Sequence, residues 1–167
     1  MIIDSHCHLT YEPMSSSLTE TINRANKDGV KYMLTISTED KSFDKILNII
    51  SKYPSVYGTY GIHPHEAKLH KNFKIKKIIE KVNLNKKIIG IGETGLDFYY
   101  NHSEKKYQIS LFEEHILAAQ EKNLPLIVHT RSAEKETLQI LEKHSKKKET
   151  KILIHCFTGS REFAFKL

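Results

Sequence analysis

His6 and His8 stand two apart in the run Asp4-Ser5-His6-Cys7-His8, directly behind the apolar start Met1-Ile2-Ile3. Side chains alternate along a strand, so residues two apart point the same way. The pair then aims two imidazoles at one point and turns Cys7 away. Imidazole is a common ligand for zinc and its first-row neighbours. Two core or surface histidines give the same string, so the pair acquires meaning only from its company. Glu93, His129 and His155 each end a short apolar run of their own. Five metal-type ligands, each where a strand would finish, predict a metal centre at one rim of an α/β barrel.

The elements that must carry these residues are legible from periodicity. Six apolar strand candidates occur: Met1 to Asp4, Val30 to Ile36, Val56 to Gly61, Ile88 to Gly92, Leu126 to His129, and Ile152 to His155. Helical stripes separate them. Ser15 to Lys27 carries Leu18, Ile22 and Ala25. Lys41 to Lys52 carries Ile46, Leu47, Ile49 and Ile50 behind Asp40 as an N-cap. Phe73 to Val82 carries Ile75, Ile78 and Ile79. Glu104 to Lys122, capped by Ser103, carries Tyr107, Leu111, Phe112, Ile116 and Ala119. Ala133 to His144 follows Ser132 with Leu138 and Leu141. Strand-helix alternation implies parallel strands with right-handed crossovers. Polar candidates gather at the strand C-termini, where His63 also stands. A barrel spreads its site over that rim, whereas a doubly wound sheet concentrates it at one switch point. Ligands on strands one, four, five and six favour the barrel.

At 167 residues and 39% apolar content the chain suits one domain, residues 1–167. No apolar run approaches the ~18 residues of a membrane helix. The N-terminus lacks the regions of a signal peptide, so a cytoplasmic protein is expected. Cys7 and Cys156 form no Cys-x-x-Cys unit and are expected to be small buried thiols. The net charge of +6 suits a polyanion such as nucleic acid, although Lys76-Lys77 and Lys146-Lys147-Lys148 read first as solvated faces.

Five strings together resemble the TatD-type metal-dependent deoxyribonucleases, within the amidohydrolase-like TIM barrels. They are Ile3-Asp4-Ser5-His6-Cys7-His8-Leu9, Gly61-Ile62-His63-Pro64-His65, Gly92-Glu93-Thr94-Gly95-Leu96-Asp97, Pro125-Leu126-Ile127-Val128-His129-Thr130-Arg131 and His155-Cys156-Phe157-Thr158-Gly159-Ser160. The resemblance implies that His6 and His8 hold one divalent ion, that His129 and His155 hold a second, and that Glu93 bridges them. Two such ions clamp the attacking and leaving oxygens of a phosphodiester, here in DNA. The family is described as Mg²⁺-dependent, yet four imidazoles suit Zn²⁺ or Mn²⁺ better. His63, His65 and Arg131 are candidates for substrate phosphate; the alternatives are loop histidines and a surface pair between Arg131 and Glu134. Asp97 either supports the ligands from behind or caps its loop. Tyr99 and Tyr100 either stack on bases or pack the loop.

The resemblance covers six strands of the eight, and ~250 residues, that a barrel of this type has. Residue 167 falls inside the expected sixth helix, and the family's catalytic aspartate after strand eight has no counterpart. Strands one and six are then expected to be exposed edges. A fragment or shortened homologue with residual ligands and poor or no activity is expected, or a partner chain that supplies the missing strands. Hydrolysis of a carboxylic ester or amide, including deacylation of aminoacyl-tRNA, and a non-catalytic relic are the alternatives to a deoxyribonuclease.

Overall fold

The computed structural model describes residues 1–167. Six strands form one parallel sheet: β1 (Ile2–Cys7), β2 (Val30–Thr35), β3 (Val56–Tyr60), β4 (Ile88–Asp97), β5 (Leu126–Arg131) and β6 (Ile152–Ile154). Their order in the sheet is their order in the chain, and every neighbouring pair is parallel. Strand order never reverses, so there is no switch point. Six helices alternate with the strands: α1 (Leu18–Lys27), α2 (Phe43–Lys52), α3 (Ile75–Val82), α4 (Lys105–Lys122), α5 (Glu134–Ser145) and α6 (Arg161–Lys166). This is six of the eight units of a (β/α) barrel, curled as a partial barrel. No helix is long and apolar enough to cross a membrane.

The helix stripes make the core. Phe43, Ile46 and Ile50 of α2 are essentially solvent-free, and Phe43 meets Tyr60 of β3 edge-on at 4.6 Å. Full burial of each such side chain contributes about 1.5–3 kcal/mol. Leu111, Phe112 and Ile116 of α4 lie against β4, whose residues are nearly all buried. β1 and β6 are the sheet edges, and Ile2 and Ile3 on β1 are both exposed.

Element ends depart from expectation where polar side chains have other work. Asp40 does not cap α2. It lies in a 3-10 turn, Asp40–Ser42, and accepts from the Tyr60 hydroxyl (2.8 Å) and the Lys77 ammonium (2.9 Å). Burial pushes its carboxyl up, but these bonds outweigh it and hold the group at about 2. Ser103 caps nothing: Glu104 occupies the cap position of α4, and the buried Ser103 hydroxyl has no partner. α1 begins at Leu18 rather than Ser15, because residues 12–17 form turns. α3 begins at Ile75, where the Glu114 carboxylate from α4 accepts the Ile75 N–H at 2.9 Å. A 3-10 segment, Pro64–Leu69, follows β3. Cys156 is exposed, contrary to the expected buried thiol, while Cys7 is half-buried and burial pushes its thiol up to about 12.

β4 is the longest strand, and glycine lets it run on. Gly92 and Gly95 have φ of +134° and +136°, a region that side-chain-bearing residues rarely adopt. A Cβ at Gly95 would collide with the His129 carbonyl of β5, and one at Gly92 with the Ile127 carbonyl. Backbone cannot yield as a flexible side chain can. We therefore expect Gly95→Ala to cost on the order of 3 kcal/mol. That corresponds to a drop of roughly 6–12 °C in the midpoint of thermal unfolding, read by circular dichroism.

Candidate metal centre

Glu93 lies within β4, only 3% exposed, with five histidines around its carboxylate. The two oxygens face different groups. Oε2 looks to β1 and its end, with His6 Nε2 at 3.4 Å and His8 Nε2 at 4.0 Å. Oε1 looks to the other side, with His155 Nε2 at 2.7 Å, His129 Nδ1 at 3.0 Å and His63 Nε2 at 3.5 Å. Alternation along β1 works as expected: His6 and His8 face the centre, while the Cys7 thiol turns away and donates to the Leu34 carbonyl. His155 follows β6 directly, and its ring stacks on His6 at 3.9 Å.

Strand β2 supplies no ligand, but the segment after it ties the ligand backbones together. The Ile36 N–H donates to the Cys7 carbonyl, the Glu93 N–H to the Ser37 carbonyl (2.7 Å), and the His63 N–H to the Thr38 carbonyl (2.8 Å). The Ser37 hydroxyl donates to the Gly61 carbonyl. Three consecutive residues thus brace the ligand-bearing ends of β1, β3 and β4.

Burial raises the Glu93 carboxyl, but the bonds from His129 and His155 and the nearby rings of His6 and His63 outweigh it and hold the group far below the usual carboxylate range. Burial keeps His8 and His63 below the ordinary histidine value, which disfavours a proton on either ring; His63 Nδ1 accepts the His65 N–H at 3.2 Å. His129 moves the other way. Burial lowers it, but Glu93 and Asp97 together raise it above the usual value. The donor set fits divalent ions. His6, His8 and Glu93 offer donor atoms all within 4.8 Å of one another, and so do His63, Glu93 and His129. Both ring nitrogens of His6 and Nδ1 of His8 are buried without a hydrogen-bond partner. Orphaned buried imidazole nitrogens beside an ionised carboxylate are the setting that Zn²⁺ or Mn²⁺ satisfies.

Asp97, fully buried, divides its labour by oxygen. Oδ2 meets His65 Nε2 at 2.8 Å and His129 Nε2 at 3.2 Å. Oδ1 accepts the backbone N–H groups of Tyr99 and Tyr100. The aspartate both supports the His129 ring from behind and caps its own loop, and it leaves Nδ1 of His129 facing Glu93. His65 therefore stands one ring outward from the centre. Arg131 is farther still: its guanidinium lies over the Tyr99 and Tyr100 rings, at 4.5 and 4.7 Å. It does not pair with Glu134, whose carboxylate accepts instead from the Ser160 N–H and hydroxyl.

Two residues of α4 position the centre without touching it. Gln108 accepts the Asp97 N–H (2.8 Å) and donates to the Asp97 and Ser103 carbonyls. His115, fully buried, accepts the Ile62 N–H through Nε2 (3.2 Å) and donates from Nδ1 to the Leu111 carbonyl (2.8 Å). It fixes the segment that delivers His63. A cleft of about 370 Å³ opens over the centre, bordered by His8, Tyr11, Glu39, His63 and Glu66. A larger depression of about 760 Å³ between Lys68 and Glu80 holds none of the ligands; its Lys74 and Lys77 pair with Glu114 and Asp40.

Burial sets His115 down at about 4, against about 6.5 when the chain is unfolded. Between these values the unfolded chain takes up a proton that the folded one refuses. Stability is therefore full above pH 6.5 and falls as pH drops toward 4, by about 3 kcal/mol from this group. Glutamine keeps an acceptor for Ile62 and cannot titrate in this range. His115→Gln is expected to stay folded at pH 7 and to lose less thermal stability than the parent between pH 6.5 and 4.

A sequence profile described as "TatD related DNase" matches residues 3–167. An uncharacterized metal-dependent hydrolase of Buchnera aphidicola, from the pea-aphid strain, is 35% identical over 99% of this chain and 66% of its own length. The 3'-5' ssDNA/RNA exonuclease TatD of Salmonella typhimurium is 31% identical over 96% of this chain and 61% of its own length. The crystal structure of YJJV, a TatD homolog from Escherichia coli, superimposes with a TM-score of 0.89 at 26% identity, covering 99% of this chain and 63% of that one. The chain thus spans a little under two thirds of the length of these relatives. The profile spans the strands and all the residues that converge on Glu93, and on that basis the chain belongs to the TatD-related DNase family.

Proposed function

We propose that this chain carries the metal-binding part of a hydrolase that cleaves phosphodiester bonds in DNA, with two divalent ions held at Glu93. The observation that carries this reading is the division of the carboxylate: each oxygen faces its own set of imidazoles. A neutral imidazole could not serve two ions at once; a buried, ionised carboxylate can. His6 and His8 would hold one ion. His129 would hold the second, with His63 and His155 beside it on the same carboxylate oxygen. Zn²⁺, Mn²⁺ or Mg²⁺ at these positions would neutralise charge on a phosphodiester and make water a stronger nucleophile.

The chain's own residues do the rest. Asp97 holds the His129 ring in one orientation and keeps Nδ1 toward the centre. The segment Ile36–Thr38 keeps the ligand strands in register. His65, at the outer side, donates from Nε2 to Asp97 and borders the cleft that a substrate would enter. The net charge of +6 favours approach of a polyanion. The similarity to the 3'-5' ssDNA/RNA exonuclease TatD of Salmonella typhimurium supports nucleic acid as the substrate class.

Loss of a carboxylate that orients a ligand histidine typically costs 10–100-fold in metal affinity. Asp97→Asn is expected to weaken Mn²⁺ binding by roughly that factor, and Glu93→Gln by more, as read by titration calorimetry with the fold checked by circular dichroism. Whatever hydrolysis of a DNA oligonucleotide the 167-residue chain supports should require added metal, stop with a chelator and be lost in His129→Ala. Turnover of carboxylic esters or aminoacyl-tRNA, with DNA left intact, would overturn the phosphodiesterase reading.

A further inference from the structure

Rings line up outward from the metal centre without a gap. His129 meets His63 at 4.5 Å between centroids, His63 meets His65 at 4.3 Å, and His65 meets His102 at 4.5 Å and Tyr100 at 5.7 Å. Beyond them Tyr99 stands edge-on to Tyr100 at 4.9 Å, with the Arg131 guanidinium over both. Packing does not account for this outer group. Tyr99 is 61% exposed and Tyr100 49%. Both are nonetheless held, because Asp97 Oδ1 fixes their backbone N–H groups. The carboxylate that orients His129 therefore also fixes the main chain from which two open aromatic rings project. Arg131 makes cation–π contacts and no ion pair in the structure, so its charge is not spent on a carboxylate.

We propose that Tyr99, Tyr100 and Arg131 form a stacking site for a nucleobase of a single strand whose backbone enters the cleft. This rests on the phosphodiesterase reading above and names its substrate class more closely. An exposed ring backed by a guanidinium offers a base one flat face, and the same guanidinium offers the adjoining phosphate a cation. Tyr100 and His102 are nearly parallel but only 5.8 Å apart, too close to admit a base between them. The base therefore lies on the open side of Tyr99, away from Arg131. In a duplex the bases are already stacked on their neighbours, so the site selects single strands. It reads no base identity, because every base has such a face.

The test compares three fluorescein-labelled 12-nucleotide ligands on the Mn²⁺-loaded chain by anisotropy. They are a single strand, its duplex, and an abasic strand of equal charge, all with phosphorothioate linkages to block cleavage. The single strand should bind at least roughly 5-fold tighter than the abasic strand, the lower bound for one stacked base. Tyr99→Phe should keep that ratio, and Tyr99→Ala should bring it to near one while melting at the parent temperature. Equal binding of base-bearing and abasic strands by the parent chain would overturn the stacking site and leave the hydrolase reading standing. An unchanged ratio in Tyr99→Ala would do the same. Binding of none of the three ligands, together with no DNA hydrolysis, would overturn the nucleic-acid reading itself and this site with it.

Discussion

One buried negative charge organises this molecule. A carboxylate in a nearly water-free setting is costly unless it is paired and hydrogen-bonded. Glu93 meets that requirement with imidazoles drawn from β1, β5 and the loops after β1, β3 and β6. Each histidine is partly covered in its turn, and burial disfavours the proton of His8 and His63. The group is thus a balance in which the carboxylate stays charged, His8 and His63 are held below and His129 above the ordinary histidine value, and ring nitrogens of His6 and His8 remain without partners. Such a balance is poor as a purely structural core. It is suited to receiving positive ions.

Precision at the centre comes from backbone as much as from side chains. The carbonyls of Ser37 and Thr38 and the N–H of Ile36 meet three ligand-bearing segments. Gln108 and His115 reach in from α4 to the loops that present Asp97 and His63. Helix, strand end and loop are fastened by groups that are satisfied and buried, so a ligand cannot shift without breaking a bond in low dielectric. Loops usually carry both function and mobility; here the loops that carry function are tied down.

Much of this was readable beforehand, for reasons specific to each residue. His6 and His8 declared themselves because a strand alternates, and Cys7 turned away for the same reason. The barrel-type winding followed from strand-helix alternation, and chain order in the sheet agrees with it. Glu93 looked like a strand end, since the apolar run Ile88 to Gly92 stops before it; instead Gly92 and Gly95 let β4 pass close to β5 and continue to Asp97. Asp40 and Ser103 looked like helix caps because local sequence favours them there. Long-range partners decided otherwise: Tyr60 and Lys77 claim Asp40, and Gln108 claims the Ser103 carbonyl. Gln108 and His115 went unread because the α4 stripe was followed for its apolar members. Two polar residues seven apart on a buried helical face were the available sign. Ser37 and Thr38 act through main-chain atoms, which no residue type advertises.

The sheet is wound in chain order, and this gives the centre a direction in time. A ribosome delivers His6, His8 and His63 first, then Glu93, then His129 and His155. Once β4 has docked, the three donors His6, His8 and Glu93 are already in hand, before either later histidine has been synthesised. One side of the Glu93 carboxylate can therefore gather its imidazoles while the remaining strands are still to come. That early cluster brings the edge strand, β1, against a buried charge in a sheet that is still growing.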